Sequence, residues 1–257
     1  MKAAVLTTSW DDGHKCDLKL ARMLKEHGLR ATFYVAPNNH EFADQDLLTG
    51  PEIRDLGQDF EIGAHTMTHR RLPAISEQEA AHEIVESKAV LEQITGNEIK
   101  VFCYPGGEYT KSHVQQVKDA GFRYARTVDR YRFGVNDPYE AGTSIHVYNH
   151  RFDLWQMARF VKFRPIKLLN CTEWDVLAKT MFDQVMRKGG IFHIWGHSWE
   201  IDEHHDWDRL QDVFRYISAN PRVSYVTNGE LEAYSLDGPD RPSARGGGLS
   251  QPRATGS

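Results

Sequence analysis

The sequence predicts an α/β fold, a distorted (β/α) barrel with about seven parallel strands. Strand-like and helix-like segments alternate along its 257 residues, and such alternation is typical of a parallel sheet covered by helices. Candidate chemical residues recur where predicted strands end, which is the rim at which parallel barrels build their sites. With 40% hydrophobic residues, a chain of this length can bury the core of one such domain.

The predicted strands are short apolar runs that end at turn residues. The first leads into Asp11-Asp12-Gly13, the third delivers His65, and the fourth is closed by Pro105-Gly106-Gly107. Together the apolar runs predict strands at residues 3–8, 31–36, 60–63, 101–104, 124–128, 191–195 and 223–227.

Between the strands, apolar residues recur at helical spacing. Asp17 is the predicted cap of the first helix and Gly28 its end, while Ser76 and Glu79 form a capping box. These signals predict helices at residues 17–28, 51–59, 76–96, 112–120, 172–189 and 206–220.

Two segments lack a period. Residues 129–165 are aromatic and polar, and we expect long loops there with one helix at about residues 155–161. From Gly238 onward the chain is rich in glycine and proline without apolar spacing. We therefore expect a single catalytic domain over residues 1–237 and a disordered tail over residues 238–257.

Composition narrows the classes of partner. The net charge is −5 with scattered lysine and arginine, which argues against nucleic acid. The sequence contains no run of 18 apolar residues, so it does not predict a membrane span. The N-terminus is too short and too soon polar for a signal peptide, so we expect a cytoplasmic protein. Cys16, Cys103 and Cys171 lack CxxC spacing, which suits a reducing compartment. The oligomeric state is not predicted.

Asp12, His65 and His69 are the most informative residues. One carboxylate and two imidazoles form a ligand set for a catalytic divalent metal, because three protein ligands leave a position open for water. The spacing from His65 to His69 would let both imidazoles meet one ion from a single helical turn. It also fits two polar residues on a helix surface, and Asp-Asp-Gly is a common turn. Asp11, directly beside Asp12, is a candidate general base.

Two histidines compete for a role on the sixth predicted strand. His193, Trp195 and His197 would point the same way by the period of a strand. We favour His197 because it lies at the strand's end, whereas His193 fits a hydrogen-bonded core histidine. Cys103 can be read as a nucleophile, but a buried structural role suits it better once a metal is assigned.

These motifs resemble the polysaccharide deacetylases of carbohydrate esterase family 4, the nodulation-protein-B-like deacetylases. The family's Thr-Phe-Asp-Asp-Gly is similar to Ser9-Trp10-Asp11-Asp12-Gly13, and its His-(Ser/Thr)-x-x-His is matched in full by residues 65–69. Its Arg-x-Pro-(aromatic)-Gly falls on Cys103-Tyr104-Pro105-Gly106-Gly107, where Cys and Gly replace the arginine and the aromatic residue. Its late Leu-x-His falls on Trp195-Gly196-His197. The resemblance spans about residues 3–230 in order and spacing.

The resemblance implies that Asp12, His65 and His69 bind one divalent metal and that Asp11 is the catalytic base. Zinc is the default ion, although cobalt, nickel or manganese would also suit these ligands. The implied reaction removes an N-acetyl or O-acetyl group from a carbohydrate, with His197 protonating the leaving group.

Other residues are expected to bind the substrate. A backbone N–H near Gly106 or Gly107 would hold the oxyanion, with Tyr104 and Trp195 beside the substrate. Further aromatic residues fit either a sugar cleft or ordinary core packing; these are Trp10, Tyr131, Phe133, Tyr139, Trp199 and Trp207.

Because the third motif lacks its arginine, we predict that a cation from another strand pairs with Asp11. In the family this arginine pairs with the catalytic aspartate, and Cys103 cannot supply its charge. We expect Arg126 to replace it, because a charged residue within the apolar strand 124–128 suggests a buried partner. The alternative is an arginine that faces solvent.

Three alternatives remain open. Two histidines and one carboxylate also form the site of non-haem iron oxygenases, although the β-α alternation does not suit them. The chain can instead be a non-catalytic sugar-binding relative, which the presence of Asp11 and His197 disfavours. A hydrolase of a non-sugar or cyclic amide on the same fold is the third. The sequence does not predict which acetylated substrate is cleaved.

Overall fold

A computed structural model describes residues 3–150 and 173–235, together with residues 157 and 160. Its strands are β1 (Ala4–Asp12), β2 (Ala31–Val35), β3 (Glu61–Ala64), β4 (Val101–Cys103), β5 (Tyr124–Arg126), β6 (Ile145–His146), β7 (Gly190–Gly196) and β8 (Val223–Tyr225). Its helices are α1 (Asp17–Glu26), α2 (Gly50–Asp59), α3 (Glu77–Thr95), α4 (Lys111–Asp119), α5 (Trp174–Lys188), α6 (Ser198–Glu203), α7 (Trp207–Ile217) and α8 (Glu232–Ser235).

Several expectations fall outside this description. They concern most of the predicted helix at 155–161, the predicted helix start at Thr172, Cys171, and the tail from Gly238. Within the described ranges, none of the helices combines the length and apolar character needed to cross a bilayer.

The strands form one parallel sheet that curls into a half-barrel. The order is β5-β4-β3-β2-β1-β7-β6, and β8 pairs with the start of β1. Every strand pair runs parallel, and β1 is buried along its whole length. The predicted distorted barrel of about seven parallel strands is therefore confirmed.

The parallel register brings the candidate residues to one rim. The last residues of β1 pair with β2, as in Asp12 with Val35, while Trp10 pairs with Gly196 of β7. Because all strands run the same way, their carboxyl ends share this edge of the sheet. Asp11, Asp12, His65, Cys103, Arg126 and His197 all lie at or directly after those ends.

The segment 141–147 links the two outer edges of the curled sheet. Ala141 bonds with β5, donating its N–H to Ala125 O at 3.0 Å and accepting from Thr127 N–H at 2.8 Å. A few residues later, Val147 N–H donates to Trp195 O of β7 at 2.8 Å. The sequence predicted only loops here, because β6 has two residues and its neighbours carry no strand period.

Two capping predictions for the helix starts have different outcomes. Ser76 and Glu79 form the predicted capping box, and α3 ends at Gly96 in the left-handed conformation. The prediction for Asp17 is wrong. Cys16 precedes α1, and Asp17 is its buried first residue without a capping bond. Helix α6 was also not predicted, because six residues carry too short a period to read.

Gly63 in β3 is required by close packing beneath the site. An added Cβ would lie 2.5 Å from the Tyr34 ring and 2.8 Å from a Val101 methyl carbon. The same tyrosine ring lies 5.2 Å from the Arg126 guanidinium carbon. Overpacking here would therefore move a side chain that supports the site.

We predict that Gly63→Ala lowers the free energy of unfolding by about 1–3 kcal/mol, because a buried methyl group has no room. Urea unfolding measures this loss. Gly134→Ala is the matched control, since nothing lies within 4 Å of its added Cβ, and it should stay within about 0.5 kcal/mol of wild type. Equal effects of the two substitutions would contradict the packing argument.

Candidate metal and catalytic site

Asp12, His65 and His69 come together at the ends of β1 and β3. Asp12 Oδ1 lies 3.2 Å from His69 Nε2 and 3.7 Å from His65 Nε2. The ligand atoms of the three side chains are all within 4.8 Å of one another. Asp12 and His65 are buried and His69 is half-buried, so the cluster reaches solvent on the His69 side.

The backbone around these residues is not helical. Asp12 has a φ of 85°, and both Thr66 and His69 have a φ of 61°, a region that L-residues rarely adopt. The expectation that both imidazoles meet from one helical turn is therefore wrong. A loop with two left-handed residues turns the two rings toward Asp12 instead.

Outer contacts fix how the ligands face. The His65 Nδ1–H donates to Cys103 O at 2.8 Å, because a carbonyl oxygen can only accept. His65 Nε2 therefore presents a lone pair toward Asp12. Burial, with His69 beside it, lowers the pKa of His65 to about 4, so the ring is neutral. Trp199 Nε1–H donates to Asp12 Oδ2 at 2.8 Å.

A divalent cation fits this arrangement. Asp12 Oδ1 is buried and accepts no hydrogen bond, although two imidazoles face it. A buried carboxylate oxygen without a partner is costly, and a cation held by the three side chains would satisfy it. The donor set of one oxygen and two nitrogens suits zinc and related ions.

Asp11 pairs with Arg126, the cation expected to replace the missing arginine. Arg126 Nη2 donates to both Asp11 carboxylate oxygens, and both side chains are buried. Burial raises the pKa of Asp11, but nearby positive charges, that of Arg126 foremost, together outweigh this effect and lower the pKa below its usual range overall. Asp11 is thus kept in its ionised form, which can accept a proton but cannot donate one.

The Arg126 guanidinium lies between aromatic rings. Its carbon is 4.6 Å from the Trp195 ring centre and 5.2 Å from that of Tyr34. His146 also stacks on Trp195, with ring centres 4.0 Å apart and planes 11° apart. The buried Trp195 ring therefore packs within the site. The expected contact between Trp195 and the substrate is not supported, because Arg126 and His146 already pack against the Trp195 ring.

His197 reaches the same cleft from β7. Its Nε2 lies 3.9 Å from Asp12 Oδ2, and its Nδ1–H donates to Glu200 Oε2 at 2.5 Å. Burial lowers the pKa of His197, but Asp12 and Glu200 outweigh it and raise the pKa to about 9. Without a bound metal the ring is therefore protonated at neutral pH, with Nε2–H directed toward Asp12.

His193 occupies a different environment. It is buried, and its Nε2 lies 2.8 Å from Ser9 Oγ. Burial, with Arg126 adding to it, lowers the pKa of His193 to about 3. A histidine that stays neutral and lies against a serine inside the barrel is a poor proton donor, so the geometry favours His197 for that role.

The third motif provides fewer groups than expected. Gly107 N–H donates to Tyr104 O at 2.9 Å, so this donor is already used within its own turn. Tyr104 is buried, stacks on Tyr109 and donates its hydroxyl to Tyr139 O. The expectation that Tyr104 contacts substrate is therefore not supported by its position. The exposed Gly106 remains as a candidate backbone donor.

The aromatic residues divide between core and cleft. Trp10 is fully buried against Phe214, with ring centres 6.1 Å apart, so core packing is the alternative that applies to it. Trp199 instead bonds Asp12 and packs edge-on against Phe42 at 5.6 Å. Four further aromatic residues are partly buried and pack against the hydrophobic core: Tyr131, Phe133, Tyr139 and Trp207.

Sequence reasoning missed three contacts. Glu200 stands three residues after His197, a spacing that brings side chains together at a helix start, so this contact had a readable signal. Trp199 was named as a cleft residue but not as a donor to Asp12. His146 had no signal, because it lies in the segment without a period.

Sequence comparison identifies relatives over the first half of the chain. Residues 1–125 match the family model described as polysaccharide deacetylase. Over 125 residues the chain is 28% identical to a peptidoglycan-N-acetylglucosamine deacetylase of Bacillus cereus, a match that covers 47% of this chain and 42% of the relative. The chain therefore spans less than half the length of the curated relatives it matches.

Solved structures extend the likeness in fold to almost the whole chain. A candidate polysaccharide deacetylase from Mycobacterium smegmatis superposes with a TM-score of 0.64 at 16% identity, covering 98% of this chain and 96% of its own. A family 4 acetyl xylan esterase from Clostridium thermocellum, solved with a cobalt ion, gives 0.56 at 17% identity, covering 89% and 90%.

At such low identities the structural matches concern the fold alone, and they agree with the curled parallel barrel described above. The family model covers the segments that contain Asp11, Asp12, His65, His69 and Cys103. The resemblance predicted from the two motifs is therefore confirmed, and over residues 1–125 this chain is similar to the polysaccharide deacetylases.

Proposed function

We propose that this chain is a metal-dependent hydrolase that removes an acetyl group from a carbohydrate. One observation carries the proposal. The buried Asp12 Oδ1, which accepts no hydrogen bond, faces two imidazoles directly beside a second carboxylate that is held ionised. The names of its relatives suggest the substrate class, either an N-acetylated amino sugar or an O-acetylated sugar.

Asp12, His65 and His69 would hold the cation, with zinc as the proposed ion. When bound, the cation supplies a Lewis acid that polarises the acetyl carbonyl and acidifies water. Cobalt deserves a parallel test because the Clostridium thermocellum esterase was solved with it. The sheet takes strands from both ends of the described chain, which supports one catalytic domain over residues 1–237.

Asp11 is the proposed general base. Its carboxylate accepts the proton of the water that attacks the acetyl carbon, and Arg126 orients it for that task. Arg126 also keeps the pKa of Asp11 low enough for the base to be ionised, against the effect of burial. Gly106 is the proposed backbone donor to the oxygen that becomes negative.

His197 is the proposed general acid. It protonates the sugar nitrogen or oxygen as the bond to the acetyl carbon breaks, which releases acetate. Glu200 holds the ring by Nδ1, so that Nε2 carries the proton toward the cleft. A non-catalytic relative would have no need for a carboxylate held ionised and a protonated histidine close to the proposed metal ligand Asp12.

We predict that the wild-type chain releases acetate from acetylated carbohydrates and that Asp11→Asn lowers turnover about 10²–10⁴-fold, because a base is lost and no metal ligand is. The assay measures acetate from N-acetylated amino-sugar oligosaccharides and O-acetylated xylan-type substrates, loaded with zinc or cobalt. Amine release from cyclic amides is measured in parallel.

The outcomes of this screen separate the alternatives. Amine release from cyclic amides alone would replace the carbohydrate proposal with hydrolysis of non-sugar amides. Turnover by Asp11→Asn at nearly the wild-type rate would remove Asp11 as the base. A metal-loaded protein that binds oligosaccharides but releases no acetate would indicate a binding protein.

A second prediction concerns metal binding. Asp12→Ala, His65→Ala and His69→Ala should each lose the ion, since each removes one of three protein ligands. Elemental analysis of dialysed protein measures the loss. His193→Gln is the control, because His193 bonds Ser9 and lies outside the ligand group. Full occupancy in any alanine variant would exclude that residue.

A third prediction follows from the pKa of His197, which Asp12 and Glu200 raise. An acid must be protonated, so activity falls as pH rises through that pKa. Glu200→Gln removes one stabilising charge and should move the alkaline limb of the pH–rate profile down by about one pH unit. A bound cation would lower the pKa of His197 in wild type and in the variant alike. The quantity to compare is therefore the difference in pH between the alkaline limbs of the two profiles.

Glu203→Gln is the matched control for this profile, since Glu203 is exposed on the same helix. Its alkaline limb should coincide with that of wild type. A Glu200→Gln profile that only drops in height, without moving along the pH axis, would contradict a role for Glu200 in setting the protonation of His197.

A further inference from the structure

A second group of ligating side chains lies on the far side of the His197 ring. His146, His197 and Glu200 offer ligand atoms that are all within 4.8 Å of one another. Glu200 Oε2 lies 2.5 Å from His197 Nδ1 and 3.1 Å from His146 Nε2. One carboxylate and two imidazoles are the same ligand chemistry as that of Asp12, His65 and His69.

His146 Nε2 is an atom that the proposed function leaves unexplained. It is buried and forms no hydrogen bond, although a carboxylate oxygen lies 3.1 Å away. On the other side of the ring, His146 Nδ1 lies 2.8 Å from His150 Nε2. When Nδ1–H donates to His150, Nε2 presents its lone pair to Glu200. A buried nitrogen lone pair and a half-buried carboxylate oxygen that face each other at this distance are stabilised by a cation or a proton between them.

The three side chains are held in place before any ion arrives. His146 lies in β6, which pairs with β7, and its ring stacks on Trp195. His197 directly follows β7, and Glu200 lies in the first turn of α6. The Glu200 and His197 side chains remain 15% and 19% exposed, so an ion from solvent has access to the group.

We propose that His146 Nε2, Glu200 and His197 Nδ1 form a second divalent-cation site, which zinc fills when it is in excess over the first site. Binding displaces the Nδ1 proton of His197 from between His197 and Glu200, and this proton is released to solvent. Because the first site uses none of these side chains, the two sites are separable by substitution.

The consequence for activity rests on the proposed function. His197 is the proposed proton donor, and its ring lies between the two sites, with Nε2 3.9 Å from Asp12 and Nδ1 against Glu200. A cation on Nδ1 would oppose a proton on Nε2 by charge repulsion. Excess zinc should therefore inhibit an enzyme that one zinc ion activates.

The test measures zinc stoichiometry and does not depend on turnover. Wild type, Glu200→Gln, Glu203→Gln and Asp12→Asn are dialysed to equilibrium against excess zinc at neutral pH and analysed for metal. We expect two ions in wild type and in Glu203→Gln, and one ion fewer in Glu200→Gln. Asp12→Asn should also lose one ion, which is the one that belongs to the first site.

The results separate the two proposals. A wild-type chain that holds one ion at saturation, or a Glu200→Gln chain that still holds two, would overturn the second site and leave the first intact. Loss from Glu200→Gln together with full retention in Asp12→Asn would overturn the first site instead. Circular dichroism checks that each variant is folded.

A measurement on wild type alone keeps the inference testable if Glu200→Gln fails to fold. Crystals soaked in zinc are examined by anomalous scattering at the zinc edge. The expected result is one peak among Asp12, His65 and His69 and another among His146, His197 and Glu200. Second-site zinc that lies instead at the exposed His204 or His205 would contradict the proposal.

Discussion

The buried ion pair between Arg126 and Asp11 is the contact on which the rest of the site depends. Both side chains are almost inaccessible to water, and removing one partner of such a pair typically costs about 3–5 kcal/mol. Asp11 lies on β1 and Arg126 on β5, at the far edge of the sheet order β5-β4-β3-β2-β1. They can touch only because the sheet curls, so the pair crosses the barrel interior. Tyr34 and Trp195 line the guanidinium, and Gly63 leaves room for Tyr34.

Around this pair, neighbouring residues of β1 carry different tasks. Asp11 turns inward to Arg126, while Asp12 turns to the imidazoles of His65 and His69. The strand's alternation alone would send the two carboxylates to opposite faces. The positive φ of Asp12 breaks that alternation at the last residue of the strand. The rim therefore brings the proposed base and a proposed metal ligand together from adjacent positions without a long loop.

The sequence predicted most of the strand ends and turns, which depend on local pattern. It predicted fewer of the contacts between elements that are far apart in the chain. The strand ends carrying Asp12 and His65 follow from apolar runs and turn residues. The absent third-motif arginine, together with a charge inside an apolar strand, pointed to Arg126. The loop between His65 and His69 was misread as a helical turn, because spacing alone does not reveal a left-handed backbone. His146 and β6 escaped prediction, since two residues held by β7 have no period of their own. Burial of Tyr104 and Trp10 is likewise decided by neighbours from other elements.

The residues with left-handed backbone in the Asp-Asp-Gly and His-x-x-x-His motifs have a cost in folding free energy. Among the described residues, six non-glycine positions have positive φ, and Asp12, Thr66 and His69 are three of them. Each such conformation costs on the order of 1–3 kcal/mol unless neighbouring structure offsets it. Mutational drift toward stability alone would relieve that strain by glycine or by remodelling of the loop. The three strained positions around the proposed ligands therefore lower the free energy of unfolding, and in return they give a pocket whose shape is set before any ligand binds.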